Sequence, residues 1–500
     1  MSSIDSVLDT AEFSKWIGLQ TQSAKEHFNN QVSDWKTDCN LLNSLSTRFR
    51  KFKVALKSNS DFYPKCNDIF NEIAVSEKTI NGLITDNSEL EKESYNEILF
   101  LRPVLKPLNF IPSFLFLWSF IRVYLLPGLS FIVPFLTLIA PYIVLKFAFN
   151  LPITLQNYMN ILQSMMSGKG INTDNYVGFS PVNFIKQFGV VLITFIQGII
   201  QPYWSYKHLK SVDNIIMEKG KAILKFKELY NKLKDTLCNN GFNFFKSPIP
   251  DIKGERDAVA SVILNPSYYK LALKYIGAIE VIIRLANNSE INPVKWITSA
   301  MPVFKIEDTF DYQVAVDSRK KVSIDFSTKH HALLTGPNRG GKSTVLRALS
   351  VSALLAHTFG CSHGFATMTP FYKMFVCLKP DDLPGTKSRF EREVEFTANT
   401  LNHNNPMLVF IDELFHSTNP PDALRSCQIY CDKLWRKPQI ISVISTHLFD
   451  LVEQSNSEIQ KLCCPAYIDK SGNIVFEYSL KQGICKVSSV DELLRKNKLL

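Results

Sequence analysis

The chain has 500 residues, 46% hydrophobic and 20% charged, with a formal net charge of +10. That length suits about three domains, and the composition excludes a disordered or low-complexity protein. The positive charge suits nucleic acid or an anionic membrane surface and does not choose between them. The start, Met1 to Ser6, lacks a basic stretch followed by an apolar core, so no secretory signal is expected. The ten cysteines are scattered, without CxxC or Cys/His zinc spacing. Cys427 and Cys431 share an expected helix face and read as buried free thiols, in keeping with a reducing compartment.

Residues 1–106 read as helices with polar breaks. A basic stretch within them, Arg48, Arg50, Lys51, Lys53 and Lys57, reads as a solvated helix face rather than a binding site. A membrane-associated region is expected over 107–204. From Leu108 to Leu145 the only charge is Arg122, and such a run is about twice what one bilayer crossing needs. Pro127-Gly128 is turn chemistry, so the expectation is a transmembrane helical hairpin over about 108–147, crossing near 108–126 and returning near 129–147. Arg122 would then snorkel to the far headgroups. Arg102 and Lys106 before the run and Lys146 at its end place both ends on the cytosolic side. The alternative is a single crossing at 123–145 preceded by an interfacial helix. A shorter apolar segment, Phe188 to Trp204, contains Gln197 and ends in Tyr203-Trp204, resembling an interfacial aromatic belt. A further crossing and an in-plane or core helix are both open for it.

Residues 205–300 form a helical, lever-like region. Val212, Ile215, Ile216, Ala222, Ile223, Phe226, Leu229, Tyr230, Leu233 and Leu237 recur at helical spacing. Eight lysines accompany them, from Lys207 to Lys234, and read first as the solvated face of a packed helix. Attraction to anionic lipid and contact with nucleic-acid phosphates are the other readings. Pro248 and Pro250 mark a linker, and another helix follows.

Residues 301–500 carry the chemistry. Gly336-Pro337-Asn338-Arg339-Gly340-Gly341-Lys342-Ser343, followed by Thr344, fits the phosphate-binding pattern GxxxxGK[ST]. An apolar strand, Ala332–Thr335, runs in and a helix-forming stretch runs out. The glycines let backbone N–H groups face the phosphates, and the helix N-terminus adds favourable potential. Lys342 is expected on the β- and γ-phosphates and Ser343 on Mg²⁺. Met407–Ile411 reads as a buried parallel strand ending in Asp412-Glu413. There Asp412 would hold the Mg²⁺ shell and Glu413 would position or deprotonate the attacking water. A second strand, Ile440–Ile444, leads to Ser445-Thr446-His447, where His447 can sense the γ-phosphate.

These motifs together resemble the ATPase of the MutS mismatch-repair family. Thr335–Thr344 is similar to that family's Walker A, TGPNMGGKST. Ser388-Arg-Phe-Glu-Arg-Glu393 resembles its S-x-F-x-x-E signature, Asp412-Glu-Leu414 its Walker B, and Ser445–Leu451 its A-T-H-x-x-x-L switch. Weaker similarity runs through Tyr478–Gly483, like the family's Y-x-L-x-x-G strand, and back into the helix Ile276–Leu285. The resemblance implies an α/β P-loop domain using ATP and Mg²⁺. It further implies a homodimer, or pairing with a related subunit, in which Ser388 reaches the partner's γ-phosphate while Asn338 holds the phosphate in cis. It also implies DNA as a partner, in repair or recombination.

The chain departs from the family in several places. Arg339 stands for the usual Met, and Phe415-His416-Ser417 replaces the usual Gly-Arg-Gly. No mismatch-recognition domain is recognisable, and the apolar belt falls roughly where the family inserts its DNA clamp. A membrane-anchored mechanochemical ATPase acting on a protein or lipid is therefore the second expectation, with its ATPase facing the cytosol or nucleoplasm.

Overall fold

The computed structural model describes residues 7–85, 89–166, 196–243, 249–378, 388–469, 473–488 and 494. The chain divides into two compact units. One comprises Met1–Asn71, Thr236–Asn243 and Leu273–Leu500, the other Glu72–Asp235 and Phe244–Ala272.

The first unit is built on a six-stranded sheet of β5 (His331–Thr335), β8 (Lys373–Cys377), β9 (Met407–Ile411), β10 (Ile440–Ser445), β11 (Gln460–Cys463) and β14 (Lys481–Gln482). Its spatial order is β14-β11-β5-β10-β9-β8, parallel except for β14. β5, β9 and β10 are buried at every residue, which is why they read as continuous apolar runs rather than alternating ones. Ser445 pairs with Leu334, and Ile444 with Ile411. The carboxyl ends of β5, β10 and β9 therefore lie level, where open parallel sheets bind ligands.

Helices and a smaller sheet accompany it. Helix α12 (Lys342–Phe359) is buried along nearly its whole length and packs on α2 (Gln22–Val32) and α3 (Cys39–Ser58) of the N-terminal segment. α13 (Arg389–Leu401), α14 (Pro420–Trp435) and α15 (Phe449–Gln454) follow in the chain. A four-stranded sheet orders β2 (Lys295–Trp296), β7 (Phe365–Met368), β3 (Phe304–Thr309) and β4 (Val322–Asp325). The pairs β1 (Ile291–Pro293) with β6 (Cys361–His363), and β12 (Ala466–Ile468) with β13 (Ile474–Phe476), complete the strands. The ten cysteines are free, and burial pushes the Cys427 thiol up to about 12.

Two buried charges join distant parts of this unit. Glu280, on α11 (Pro266–Asn287), accepts from Thr21 Oγ1 at 2.6 Å and from the N–H groups of Gln20 and Thr21. Lys53 leaves the solvated face expected of its basic stretch. It is buried on α3 and donates to the carbonyls of Asn288, Ser289 and Ile291 and to Asn292 Oδ1. Its ammonium thus neutralises carbonyls left over at the end of α11. Burial lowers it to about 8.

The second unit contains α5 (Glu89–Asn96), a 3₁₀ turn Pro103–Phe110, α6 (Pro112–Phe120), α7 (Leu126–Ile143), α8 (Leu155–Met166), most of α9 (Gln201–Asn239) and α10 (Glu255–Leu264). Along α9 the buried residues Leu209, Val212, Ile216, Ile223, Phe226, Leu229, Tyr230 and Leu233 trace the expected apolar stripe. Its lysines are partly spoken for: Lys225 pairs with Glu72, Lys227 with Asp251, and Lys219 reaches Tyr95 OH.

The expected hairpin is corrected here. No turn forms at Pro127-Gly128; helical backbone runs from Pro112 to Ala148, through π turns at Ile121–Leu125 and Val144–Ala148. Pro127 follows directly on the π turn Ile121–Leu125, where the local shift of the helical bonding accommodates the missing N–H. A helical glycine costs only about 1 kcal/mol. Nor does Arg122 snorkel to far headgroups, because its Nε donates to Glu97 O at 3.3 Å. Among the described residues one helix, Pro112–Ile132, is long and apolar enough to cross a membrane. Of the segment 188–204, residues 188–195 lie outside the described residues, Ile196–Ile200 forms a π turn, and 201–204 open α9.

Candidate nucleotide site

At the end of β5, Thr335 is fixed by three neighbours. Its carbonyl accepts from Cys464 N, its Oγ1 accepts from Cys485 N, and that hydroxyl donates to Leu462 O. The loop then turns at Gly336, with φ 149°, where a Cβ would meet Cys464 O at 2.8 Å. Gly341, with φ 98°, is the left-handed N-cap of α12, a conformation glycine adopts without steric cost. Pro337, Asn338, Arg339, Gly340, Gly341, Lys342, Ser343 and Thr344 all line one cavity of about 420 Å³.

Lys342 is buried, and its Nζ donates to Gly336 O at 3.0 Å and Pro337 O at 3.3 Å. Burial lowers its pKa, opposed by the charges of Glu413 and Asp412. The level strand ends bring the acids alongside. Ser343 Oγ donates to Asp412 Oδ2, and Ser445 Oγ to Asp412 Oδ1. Ser445 Oγ also accepts from Glu413 N at 3.0 Å. Glu413 Oε1 stands 3.1 Å from His447 Nε2 and 4.0 Å from Lys342 Nζ. His447 Nε2 is in turn 3.1 Å from Lys342 Nζ. One ring nitrogen serves one of these partners at a time, accepting from Lys342 or donating to Glu413. The His447 hydrogen bond holds the Glu413 carboxyl below its ordinary range, burial opposes it, and Lys342 and His416 reinforce it.

Backbone strain concentrates at the site. Of the six non-glycine residues with positive φ among the described residues, Arg339, Glu413 and Tyr478 line the cavity and Phe415 follows the acids. Left-handed backbone in such residues costs on the order of 1–3 kcal/mol each and tends to mark functional sites.

Gly336, Asp412, His447 and Ser388 do not line that cavity. Asp412 and His447 join it through the contacts above. Ser388 instead caps its own helix: its Oγ accepts from Glu391 N, and its N–H donates to Glu391 Oε2. The departures at Phe415 and Ser417 pair with this same helix. Phe415 packs on Phe390 with ring centroids 5.6 Å apart, and Ser417 Oγ donates to Glu393 Oε2 at 3.0 Å.

Sequence reasoning missed the opposite wall, where Phe310, Asp311, Val314 and Arg319 line the cavity with Tyr478. Asp311 is bonded to Arg347 of α12 at 2.8 Å. Arg319 lies 4.3 Å over the Phe310 ring and pairs with Glu290. Phe310 stacks on the buried His363, which also faces Phe13 and Trp16 of α1 (Thr10–Trp16). No local pattern announces such a wall, since residues some 300 positions apart assemble it.

Residues 332–492 match the family of MutS domain V, the ATPase domain of MutS-family proteins. The matched span runs from β5 past β14 and contains the P-loop, Ser388, both acids and His447.

Proposed function

We propose that this chain is a MutS-related ATPase that binds and hydrolyses ATP with Mg²⁺ in a dimer, and that it couples hydrolysis to DNA binding in mismatch repair or recombination. The reading proceeds from the domain V match and is carried by one observation: Lys342, Ser343–Asp412 and Glu413–His447 converge at three level strand ends. Ser343 and Asp412 present hydroxyl and carboxylate oxygens to each other, the hard donor set Mg²⁺ prefers. When bound there, the ion neutralises charge on the β- and γ-phosphates.

The chain's own residues do the rest. Lys342 exchanges its carbonyl contacts for phosphate oxygens, and the first turn of α12 supplies backbone donors. Glu413 orients a water and takes its proton as the oxygen attacks the γ-phosphorus. The bond from that phosphorus to the bridging oxygen breaks, and ADP leaves with the electron pair. His447 aligns Glu413 before attack. The test is paired: Lys342→Ala loses ATP binding, whereas Glu413→Gln keeps it and turns over about 10²–10⁴-fold more slowly. Unchanged turnover in Glu413→Gln removes Glu413 from the role of base.

A second reading is a membrane-anchored mechanochemical ATPase that acts on a protein or lipid, with its ATPase in the cytosol or nucleoplasm. The exposed apolar helix of the second unit favours it, with Leu117, Leu129 and Leu136 each about half exposed and Phe116 more so. Cell fractionation, with DNA binding by the purified protein measured with and without ATP, separates the two. Membrane recovery without ATP-dependent DNA binding selects the second.

A further inference from the structure

We infer that Arg339 is a catalytic residue acting in cis: its guanidinium engages the γ-phosphate of the ATP held by the same chain as charge develops there during hydrolysis. The role rests on the ATPase reading above and adds a residue to it.

The phosphate-loop pattern leaves position 339 open, so the motif does not call for arginine. The local backbone disfavours one. Residues 337–340 form a tight turn, closed by Gly340 N–H donating to Pro337 O at 3.0 Å. Arg339 is the third residue of that turn, at φ 66°. A left-handed third residue is where turns take glycine, and an arginine held there is strained. Glycine would shape the same loop without that cost. The side chain therefore has a use that the empty loop does not reveal.

The surrounding charges point to that use. Arg339 is exposed and lines the cavity with Lys342, Ser343 and Glu413. Among the described residues its guanidinium has no hydrogen-bond or ion-pair partner. The acids nearby are already engaged. Asp412 accepts from Ser343 and Ser445, Glu413 meets His447 and Lys342, and Asp311 is bonded to Arg347. On the opposite wall Arg319 pairs with Glu290. The anion that suits Arg339 thus arrives with the nucleotide. Lys320 also lines the cavity, but it belongs to the opposite wall, just ahead of β4, and not to the phosphate loop.

Arg339 also differs in kind from Lys342. The Lys342 ammonium is a point charge, buried against the carbonyls of Gly336 and Pro337. A guanidinium is planar, always charged and able to hold two phosphate oxygens at once. During phosphoryl transfer charge spreads over three equatorial oxygens, and an arginine from the same chain is one way to stabilise it. No bond or proton passes through Arg339; the water's proton still goes to Glu413.

The experiment measures single-turnover hydrolysis and ATP affinity for the full chain and for Arg339→Met, Arg339→Lys and Arg339→Gly. Arg339→Met and Arg339→Gly should slow hydrolysis about 10²–10³-fold while the ATP Kd stays nearly unchanged, the split expected of a contact made in the transition state. Arg339→Lys should recover part of the rate, as a point charge in place of a fork. ADP with aluminium fluoride, which mimics the transferring phosphoryl group, should be trapped by the unaltered chain and not by Arg339→Met. Arg339→Gly relaxes the turn, so its Tm should be no lower, which separates lost chemistry from lost folding. Hydrolysis at the unaltered rate in Arg339→Met overturns the role. A loss of ATP affinity as large as the loss of rate overturns it too, by making Arg339 a ground-state contact. Recovery of Arg339→Met activity at high protein concentration does the same, by assigning the arginine to an acid of a second copy. Absence of hydrolysis by the unaltered chain overturns the ATPase reading itself, and this role with it.

Discussion

Ser445 donates to Asp412 and accepts from the backbone N–H of Glu413, so Ser445→Ala frees both acids of the candidate site at once. The bond to Asp412 matters most to the metal. Ser445→Ala should raise the Mg²⁺ concentration needed for half-maximal ATPase roughly tenfold, about 1.4 kcal/mol, while metal-free nucleotide binding stays unchanged. An unaltered Mg²⁺ titration would show that Asp412 keeps its position without the hydroxyl. Ser388 is the opposite case, a proposed site residue that the structure engages only in capping its own helix. If it serves a partner's nucleotide, mixing Ser388→Ala with Lys342→Ala chains leaves at most one competent composite site per heterodimer. Full wild-type activity per Lys342-containing chain in that mixture argues for independent sites.

Three histidines are sealed inside the elements that build this unit: His331 in β5, His357 in α12 and His363 in β6. Burial lowers them to about 4, 3 and 3. The unfolded chain protonates near 6.5 and the folded chain does not, so stability is full above that pH and is lost on acidification. At pH 5 the loss is about 2 kcal/mol for each, at 1.36 kcal/mol per unit. Thermal unfolding in detergent should therefore show the Tm falling steeply from pH 7 to 5, with His331→Asn flattening the slope by roughly a third. A flat Tm profile sinks this account. A second test lies where α11 crosses α2: a Cβ at Gly277 would stand 2.4 Å from Ser23 O. Gly277→Ala should cost about 1–3 kcal/mol by overpacking, read as a lower denaturant midpoint. An unchanged midpoint would mean the two helices separate freely.

The elements of the nucleotide site were legible because each announces itself locally. Met407–Ile411 is apolar at every position because both faces of its sheet are covered, and two acids after such a strand have few other uses. The failures came where local chemistry is ambiguous. Pro127-Gly128 reads as a turn, yet the helix runs through it, because the π turn just before Pro127 absorbs the missing N–H. Lys53 reads as one cation among five, and only the fold shows carbonyls gathered around its ammonium. The Phe310–Arg319 wall left no trace in the sequence because its supports, Phe13 and Trp16, lie at the other end of the chain.

At the scale of the whole molecule, the unit that contains the domain V match is discontinuous: its N-terminal segment ends at Asn71, and its main body begins only at Leu273. This has a consequence for how the protein is made. Phe28 is completely buried and stacks on Phe359, about 330 residues downstream, while Phe13 waits for Tyr312. At about 5–20 residues per second these partners emerge from a ribosome roughly 20 s to a minute after the helices that need them. Throughout that interval α1 to α3 present bare phenylalanines, and the apolar run near 108–147 emerges second, ahead of every strand. The order of synthesis thus makes the apolar run available before the residues of the candidate nucleotide site exist. A chain stalled between 150 and 300 should be held by chaperones and cleaved rapidly at its N-terminal helices. Limited proteolysis of ribosome-bound chains of increasing length should show protection of residues 10–60 only once the length passes about 400, allowing for the exit tunnel.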